Sequence, residues 1–289
     1  MMYRLDLRVG PVGYRVGSAW RRPIDALRRL YAGYPAPDEG LATLTARIEP
    51  EKPWRRHLRP QVAIRGDFEL PDAVPMTLDH GLLAIEMAMN LQIALGERRH
   101  LLLHAGAVER NGRVIILTGE SGSGKSTLSA LLGEHGWRLL SDEFVLIEPG
   151  TGLVRAFPRA ISLKNAAIAE LERVVADRDR FGPLLRATPK GDLRHLRPAP
   201  DAIARMDERA MPALVLFPTF GHASQAEGMG QAELFALLTQ GSTNYAALGE
   251  RGFETMARLA TTVPGVRFAY PDSAGGMAIV EQFAAELGI

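Results

Sequence analysis

The 289-residue chain contains no cysteine, which excludes disulfides and thiolate-bound metal. It has no excess of either charge. Its 34 Lys and Arg against 33 Asp and Glu leave a formal net charge of +1, so no global field draws it to nucleic acid or to an anionic membrane. The longest apolar stretch, Leu82 to Leu95, is broken by Glu86, Asn90 and Gln92 and is too short and too polar to span a bilayer. The start, Met1-Met2-Tyr3-Arg4-Leu5-Asp6-Leu7-Arg8, carries no apolar stretch behind a basic one. A secretory signal is therefore not expected, and the cytoplasm is the expected compartment. The histidines lack the spacing of a metal site, and there are no repeats or low-complexity tracts. What remains is an ordinary globular composition, long enough for one large core or for a core with a small satellite.

Residues 3–9 alternate apolar and charged, the period of a half-buried strand. Gly10-Pro11 marks a turn, and Val12 to Val16 returns as a hairpin partner. Pro23 to Tyr34 has helical spacing, while Leu41 to Ile48 and Gln61 to Leu70 read as strands. The boundaries expected are a small, mostly β N-terminal lobe over residues 1–75 and an α/β domain with a helical C-terminal part over residues 76–289. In the second part, Thr77 is placed as the cap of a buried helix running to Gly96. Leu101 to Val108 and Val114 to Thr118 are apolar runs of strand length, joined by the hairpin signal Asn111-Gly112. Helix is expected from Lys125 to His135 and strand from Trp137 to Leu140. Further on, Ala213 to Phe217 and Val266 to Tyr270 read as strands. Glu233 to Thr239, Tyr245 to Thr261 and Gly276 to Leu287 read as helices, and the charge- and proline-rich stretch 176–212 as loop.

One motif carries most of the chemical information. Gly119-Glu120-Ser121-Gly122-Ser123-Gly124-Lys125-Ser126 fits G-x-x-x-x-G-K-[ST] at every defined position, after an apolar strand and before an amphipathic helix. Glycines let successive backbone N–H groups turn toward phosphate oxygens, and the helix beginning near Lys125 adds its positive end. Lys125 supplies a cation for the β- and γ-phosphates, Ser126 a hydroxyl ligand for Mg²⁺, and Thr127 continues the first helical turn. Glu120 reads as solvent-facing. The cofactors implied are ATP and Mg²⁺.

Such a loop needs an acidic partner for the metal. The first acids at a strand end downstream are Asp142 and Glu143, one short helix beyond Lys125. The helix is expected to turn straight back into a neighbouring strand and deliver both carboxylates close to the γ-phosphate. Two adjacent acids allow two tasks, one holding Mg²⁺ and one accepting the proton of an attacking hydroxyl. Arg159, Lys164 and Lys190 follow in loop-like segments and are candidates for meeting phosphate charge. A solvated surface is the alternative for each of them. The basic cluster Arg55-Arg56-His57-Leu58-Arg59 reads as a solvated face, with a peptide- or acid-binding patch as the alternative.

The segments His104-Ala105-Gly106, Gly119 to Ser126 and Gly136-Trp137-Arg138-Leu139-Leu140-Ser141-Asp142-Glu143 occur in an order that resembles the catalytic domain of the HPr kinase/phosphorylase family. The match looks closer to its HPr kinase-related kinase A branch, which is similar also at Arg159 to Asn165 and at Thr188-Pro189-Lys190-Gly191. The resemblance spans about residues 78–220. It implies a P-loop kinase core like that of HPr kinase and phosphoenolpyruvate carboxykinase, and transfer of the ATP γ-phosphate to a serine hydroxyl. It further implies Asp142 as the base, Glu143 sharing the metal, and His104 beside the nucleotide. The second acid is Glu where the parent family has Asp, and no segment after Glu143 matches the one associated with the reverse reaction, so phosphorylase activity is not expected. The branch's association with PqqD-type peptide-handling proteins makes a ribosomally made peptide the expected acceptor. Homo-oligomerisation stays open.

Three readings remain: a kinase acting on a Ser or Thr hydroxyl of a protein or peptide, a small-molecule hydroxyl kinase, and a non-catalytic nucleotide switch. The small-molecule reading calls for a closed pocket lined by Arg159 and Lys164.

Overall fold

The computed structural model describes residues 2–41, 43–70 and 73–289. Met1 and Ala42, on which the reading above also drew, lie outside the described residues. The alternating N-terminal stretch forms β1 (Tyr3–Val9), which pairs antiparallel with β2 (Val12–Ser18). Helix α1 (Arg21–Leu30) follows, then β3 (Thr43–Pro50), β4 (Gln61–Gly66) and β5 (Met76–Thr77). Together the strands make a sheet in the order β1-β2-β3-β4-β5, with β2 and β3 parallel.

Helix α2 (Gly81–Gly96) packs onto this sheet. Its apolar residues run all round it, so it is buried: Ile85, Met89 and Ile93 share a core with Val16, Ala46 and Ile48. The cover of the first sheet thus comes from beyond residue 75. Thr77 does not cap this helix through its side chain. A 3-10 turn over Leu78–His80 comes first, and Gly81 opens the helix.

The run Leu101 to Val108 is not one strand. It divides at His104 into β6 (Leu101–Leu103) and β7 (Ala105–Arg110). Strand β8 (Arg113–Thr118) pairs antiparallel with β7 across a turn in which Asn111 and Gly112 both take positive φ, 54° and 76°. That is the twist a two-residue hairpin wants. The chain continues through α3 (Lys125–Glu134), β9 (Arg138–Ser141), β10 (Val145–Ile147) and β11 (Val154–Arg155).

The segment 176–212 is not loop. After β12 (Ile161–Lys164) and α4 (Ala166–Val174) it forms β13 (Leu185–Thr188), β14 (Gly191–Leu196), α5 (Pro200–Ala204) and the start of β15 (Arg209–Phe220). Leu185, Leu193 and Leu196 are buried while Arg186 stays outside, so half-buried strands hid beneath their own charges. Strands β12, β14 and β13 form a small antiparallel sheet in that order. The rest comprises β16 (Gln225–Met229), α6 (Gln231–Gln240), α7 (Tyr245–Leu248), α8 (Glu250–Thr262), β17 (Gly265–Tyr270) and α9 (Ser273–Glu286). The single helix expected over Tyr245 to Thr261 is cut between α7 and α8 by Gly249, at φ 57° and ψ −132°, a conformation open to glycine.

The large sheet runs β6-β10-β11-β15-β8-β7-β9, with β17 beside β15 and β16 outside it. Strands β8, β15 and β17 are parallel. Strand β8 reads as a continuous apolar run because both its faces are covered. Ile115 and Leu117 join a core with Leu128 of α3 and Val280 of α9, while Val114 and Ile116 join one with Leu238 of α6 and Met256 of α8. The strand after α3 is not a neighbour of β8. Strand β7 lies between them, antiparallel to both, so β8 and β9 point the same way. Ala107 faces Ser141 but Val108 faces Leu139, which leaves Leu140 as one extra residue in β9. The Leu140 carbonyl accepts from the Phe157 N–H at 2.7 Å.

Candidate active site

Two chain segments leave the large sheet at the same edge. One follows Thr118 at the end of β8, the other follows Ser141 at the end of β9, and the start of β7 stands between them. His104 lies just before that start, so the three segments singled out in sequence meet there. Gly106 matters for the packing. A Cβ at this position would overlap Ser129 Oγ, so glycine lets α3 lie close against β7.

The loop from β8 to α3 is turned by its glycines. Gly119, Gly122 and Gly124 have φ of 126°, 89° and 93°, the region glycine enters without steric cost. Gly124 is the N-cap of α3, and a Cβ there would also overlap Tyr270 Oη. Tyr270, at the end of β17, donates its hydroxyl to the Ser123 carbonyl at 3.3 Å, and burial pushes its pKa up to about 12. Lys125 Nζ donates to the carbonyls of Gly119 (2.8 Å) and Glu120 (2.6 Å), holding the ammonium over the loop. Burial lowers the Lys125 pKa, opposed by Asp142 and Glu143 and aided by Lys164. The Glu120 side chain is exposed, as are Ser121 and Gly122; Ser126 and Thr127 sit half-buried on the first turn.

Asp142 is buried, at 5% exposure. Burial raises its pKa to about 6, helped by Glu143 and opposed by the Ser126 hydroxyl, the Ser162 N–H and Lys164. The Ser162 N–H donates to Asp142 Oδ2 at 3.3 Å. Asp142 Oδ1 is buried with no hydrogen-bond partner among the described residues, an arrangement that costs free energy unless something is meant to fill it. Glu143 is less buried, and its Oε1 lies 3.8 Å from His104 Nδ1, an ion-pair distance when the imidazole is protonated. His104 is not inside a strand as expected. It occupies the break between β6 and β7, where its N–H donates to the Gly241 carbonyl at 2.8 Å and its side chain is 47% exposed.

The donor set suits Mg²⁺, which takes one or two protein oxygens and fills its octahedron with phosphate and water. The unpartnered Asp142 Oδ1, the Ser126 hydroxyl beside that carboxyl and Glu143 are oxygens of this kind. Among the described residues no group of three or more His, Asp or Glu side chains gathers as a metal site.

The basic candidates part company. Lys164 ends β12 and acts electrostatically on both Lys125 and Asp142. Lys190 lies in the β13–β14 turn, where its N–H donates to Thr188 Oγ1 at 3.2 Å. Arg159 is not in a solvated loop. It is 3% exposed and donates to Glu86, Asn90 and Tyr31. The reading of the sequence missed Ser162, Tyr270 and the partner of Arg159. Only the last had a signal, a lone Glu86 inside an apolar helix.

A cavity of about 720 Å³ opens beside the acids, with Glu143, Arg159, Ser162, Lys164, Lys190 and His195 in its wall. A second, of about 680 Å³, is lined by Gly119 to Ser123 together with His104, Phe217, Phe220 and Arg267. Among the described residues no helix is long and apolar enough to cross a membrane.

No protein-family model and no curated protein matches this chain. Among solved structures it is similar to the Hpr(Ser) kinase/phosphatase from Coxiella burnetii, at 11% identity over 64% of this chain and 98% of that one, with a TM-score of 0.28. At this level of similarity the function has to be argued from the site.

Proposed function

We propose that the protein is a Mg²⁺- and ATP-dependent phosphotransferase acting on a hydroxyl group, with a Ser or Thr of a protein or ribosomally made peptide as acceptor. The observation that carries this reading is the meeting, at one sheet edge, of the glycine loop with a buried carboxylate that has an unpartnered oxygen. A nucleotide sensor has use for the loop and one metal ligand. A second acid beside them gives the site a proton acceptor as well.

In this reading the loop N–H groups and the N-terminal end of α3 bind the β- and γ-phosphates. Lys125 leaves the loop carbonyls to meet phosphate charge. Ser126 and Glu143, with one oxygen of Asp142, would hold Mg²⁺, which when bound would supply charge neutralisation at the phosphates. Asp142 takes the proton of the acceptor hydroxyl as its oxygen bonds to the γ-phosphorus and the bond to the ADP oxygen breaks. Lys164 offsets charge on the transferred group, and His104 positions Glu143. Lys190 borders the acceptor side. Arg159 belongs to the structural support rather than to the reacting groups. The resemblance of the motifs to HPr kinase-related kinases points the same way, and the gene-neighbourhood association of that branch with PqqD-type peptide-handling proteins is what suggests a peptide acceptor.

The second reading, a small-molecule hydroxyl kinase, is favoured by the cavity that Arg159 and Lys164 line. Labelled phosphate from γ-labelled ATP decides between them. Transfer to peptides encoded beside the gene, absent in Lys125→Ala and Asp142→Asn, supports the first reading. Transfer to free serine or related alcohols alone supports the second. Tight ATP binding with no transfer to anything would leave a nucleotide switch.

A further inference from the structure

The larger cavity has a divided lining. Its outer part is apolar: Leu83, Met87 and Leu91 of α2 face Met76 and Leu193. Met87 is 47% exposed and Val74, at the rim, 84%, so apolar surface is left open to water there. The inner part is polar, with Glu86, Ser162, Lys164 and His195. Ser162 links it to the acids, since its N–H donates to Asp142 Oδ2.

Two of the inner residues keep hydrogen-bonding capacity in reserve. Glu86 is 4% exposed and His195 2%, yet Glu86 Oε1 and His195 Nδ1 have no hydrogen-bond partner among the described residues. The other oxygen of Glu86 is fully engaged by Arg159 and Tyr31. Buried polar atoms of this sort are ordinarily paired, and a carboxylate oxygen can only accept. Burial lowers the His195 pKa, which keeps the ring neutral.

We propose that this cavity is the acceptor site. It takes a compound whose reacting hydroxyl lies within a few bonds of one large apolar group and of an N–H donor. The apolar group packs against Met87, Leu83 and Leu193, the N–H is met by Glu86, and the hydroxyl reaches Asp142 past Ser162. A serine or threonine flanked by a large apolar residue in a peptide has this chemistry, and so has an N-acylated amino alcohol. The proposal rests on the phosphotransferase reading for the words acceptor and hydroxyl, while the binding itself is separable from turnover. A cavity of this volume is within the range that takes drug-sized ligands.

The test is calorimetric binding to the full chain in the presence of Mg²⁺ and a non-hydrolysable ATP analogue. The probes are the capped peptides Gly-Leu-Ser-Leu-Gly and Gly-Gly-Ser-Gly-Gly, and N-octanoyl ethanolamine. The leucine peptide or the acyl amino alcohol is expected to bind about tenfold or more tightly than the glycine peptide, the factor one buried leucine-sized group is worth. Met87→Glu and, separately, Val74→Asp place a charge on already exposed positions, so folding is retained. Each should abolish the preference while the affinity for the nucleotide analogue stays at the wild-type value. Which probe binds tells the peptide source from the small-molecule source. Equal binding of the probes, or a preference that survives both variants, overturns the proposal. Phosphate labelling run alongside keeps the two ideas apart. Preference without labelling leaves the site and removes the kinase, whereas labelling without preference removes the site and leaves the kinase.

Discussion

Two buried carboxylates, Glu86 in the wall of the larger cavity and Asp142 next to Glu143 of that wall, have opposite surroundings. Glu86 is held by the guanidinium of Arg159 and the hydroxyl of Tyr31, and Arg159 is shared further with Asn90. Asp142 has a second carboxylate next to it in sequence, a backbone N–H on one oxygen and no hydrogen-bond partner on the other among the described residues, with the Ser126 hydroxyl and Lys164 nearby. A buried acid with a cation across from it is a structural joint. A buried acid with another acid beside it and an unpartnered oxygen holds its proton more tightly, and a bound metal would offset the same charge. Burial alone therefore does not mark a functional acid; what surrounds it does.

The sharpest way to break this comparison is to neutralise each acid centre in turn. Asp142→Asn should reduce phosphate transfer by about 10²- to 10⁴-fold, the range for loss of a general base. It should also stabilise the protein. The folded pKa of Asp142, about 6, lies above its ordinary value of 3.8, so the folded state holds the proton more tightly than the unfolded one. Stability then falls as pH rises from about 4 to 6, by about 3 kcal/mol in the metal-free protein. Above pH 6 the Asn variant should melt higher than wild type in urea or heat, and below pH 4 the two should converge. A variant that loses activity and stability together would remove the contrast.

Arg159→Ala should do the reverse. Leaving Glu86 buried without its cation costs about 3–5 kcal/mol, read as a lower urea midpoint, with nucleotide affinity unchanged in the fraction that stays folded. Loss of ATP binding at unchanged stability would restore Arg159 to the phosphate site.

Smaller effects are expected where packing positions the loop. Gly106→Ala brings a methyl group against Ser129 Oγ and should cost about 1–3 kcal/mol, the usual range for overpacking. Ser129→Gly in the same chain should recover most of it. Tyr270→Phe removes one hydrogen bond to the loop and should cost about 1 kcal/mol. Glu120→Ala, on an exposed side chain, should stay within about 0.5 kcal/mol in stability.

The sequence made part of this arrangement legible. The glycine loop, α3 and the acid pair stand where spacing placed them, because each depends on local rules: φ at glycine, an apolar strand before, a helix after. The hairpin at Asn111-Gly112 was equally local. What escaped depends on distant partners. Nothing near Arg159 announces Glu86, 73 residues earlier. Nothing near Gly124 announces Tyr270, whose hydroxyl crosses to the loop from the last strand. The charged stretch 176–212 hid β13 and β14 because their three leucines are matched by Arg186, Asp192 and Arg194, and composition weighed over the whole stretch masked alternation within it.

The extra residue in β9 has a consequence of parity. Successive side chains of a strand point to opposite faces, so one inserted residue inverts the facing of everything that follows. Leu140 is that residue, and Ser141, the last of the strand, separates it from the acids. Beyond the strand the chain buries Asp142 with its unpartnered oxygen and leaves Glu143 against His104 and the open cavity. Deleting Leu140 would keep both acids in the chain and change the path by which the strand delivers them.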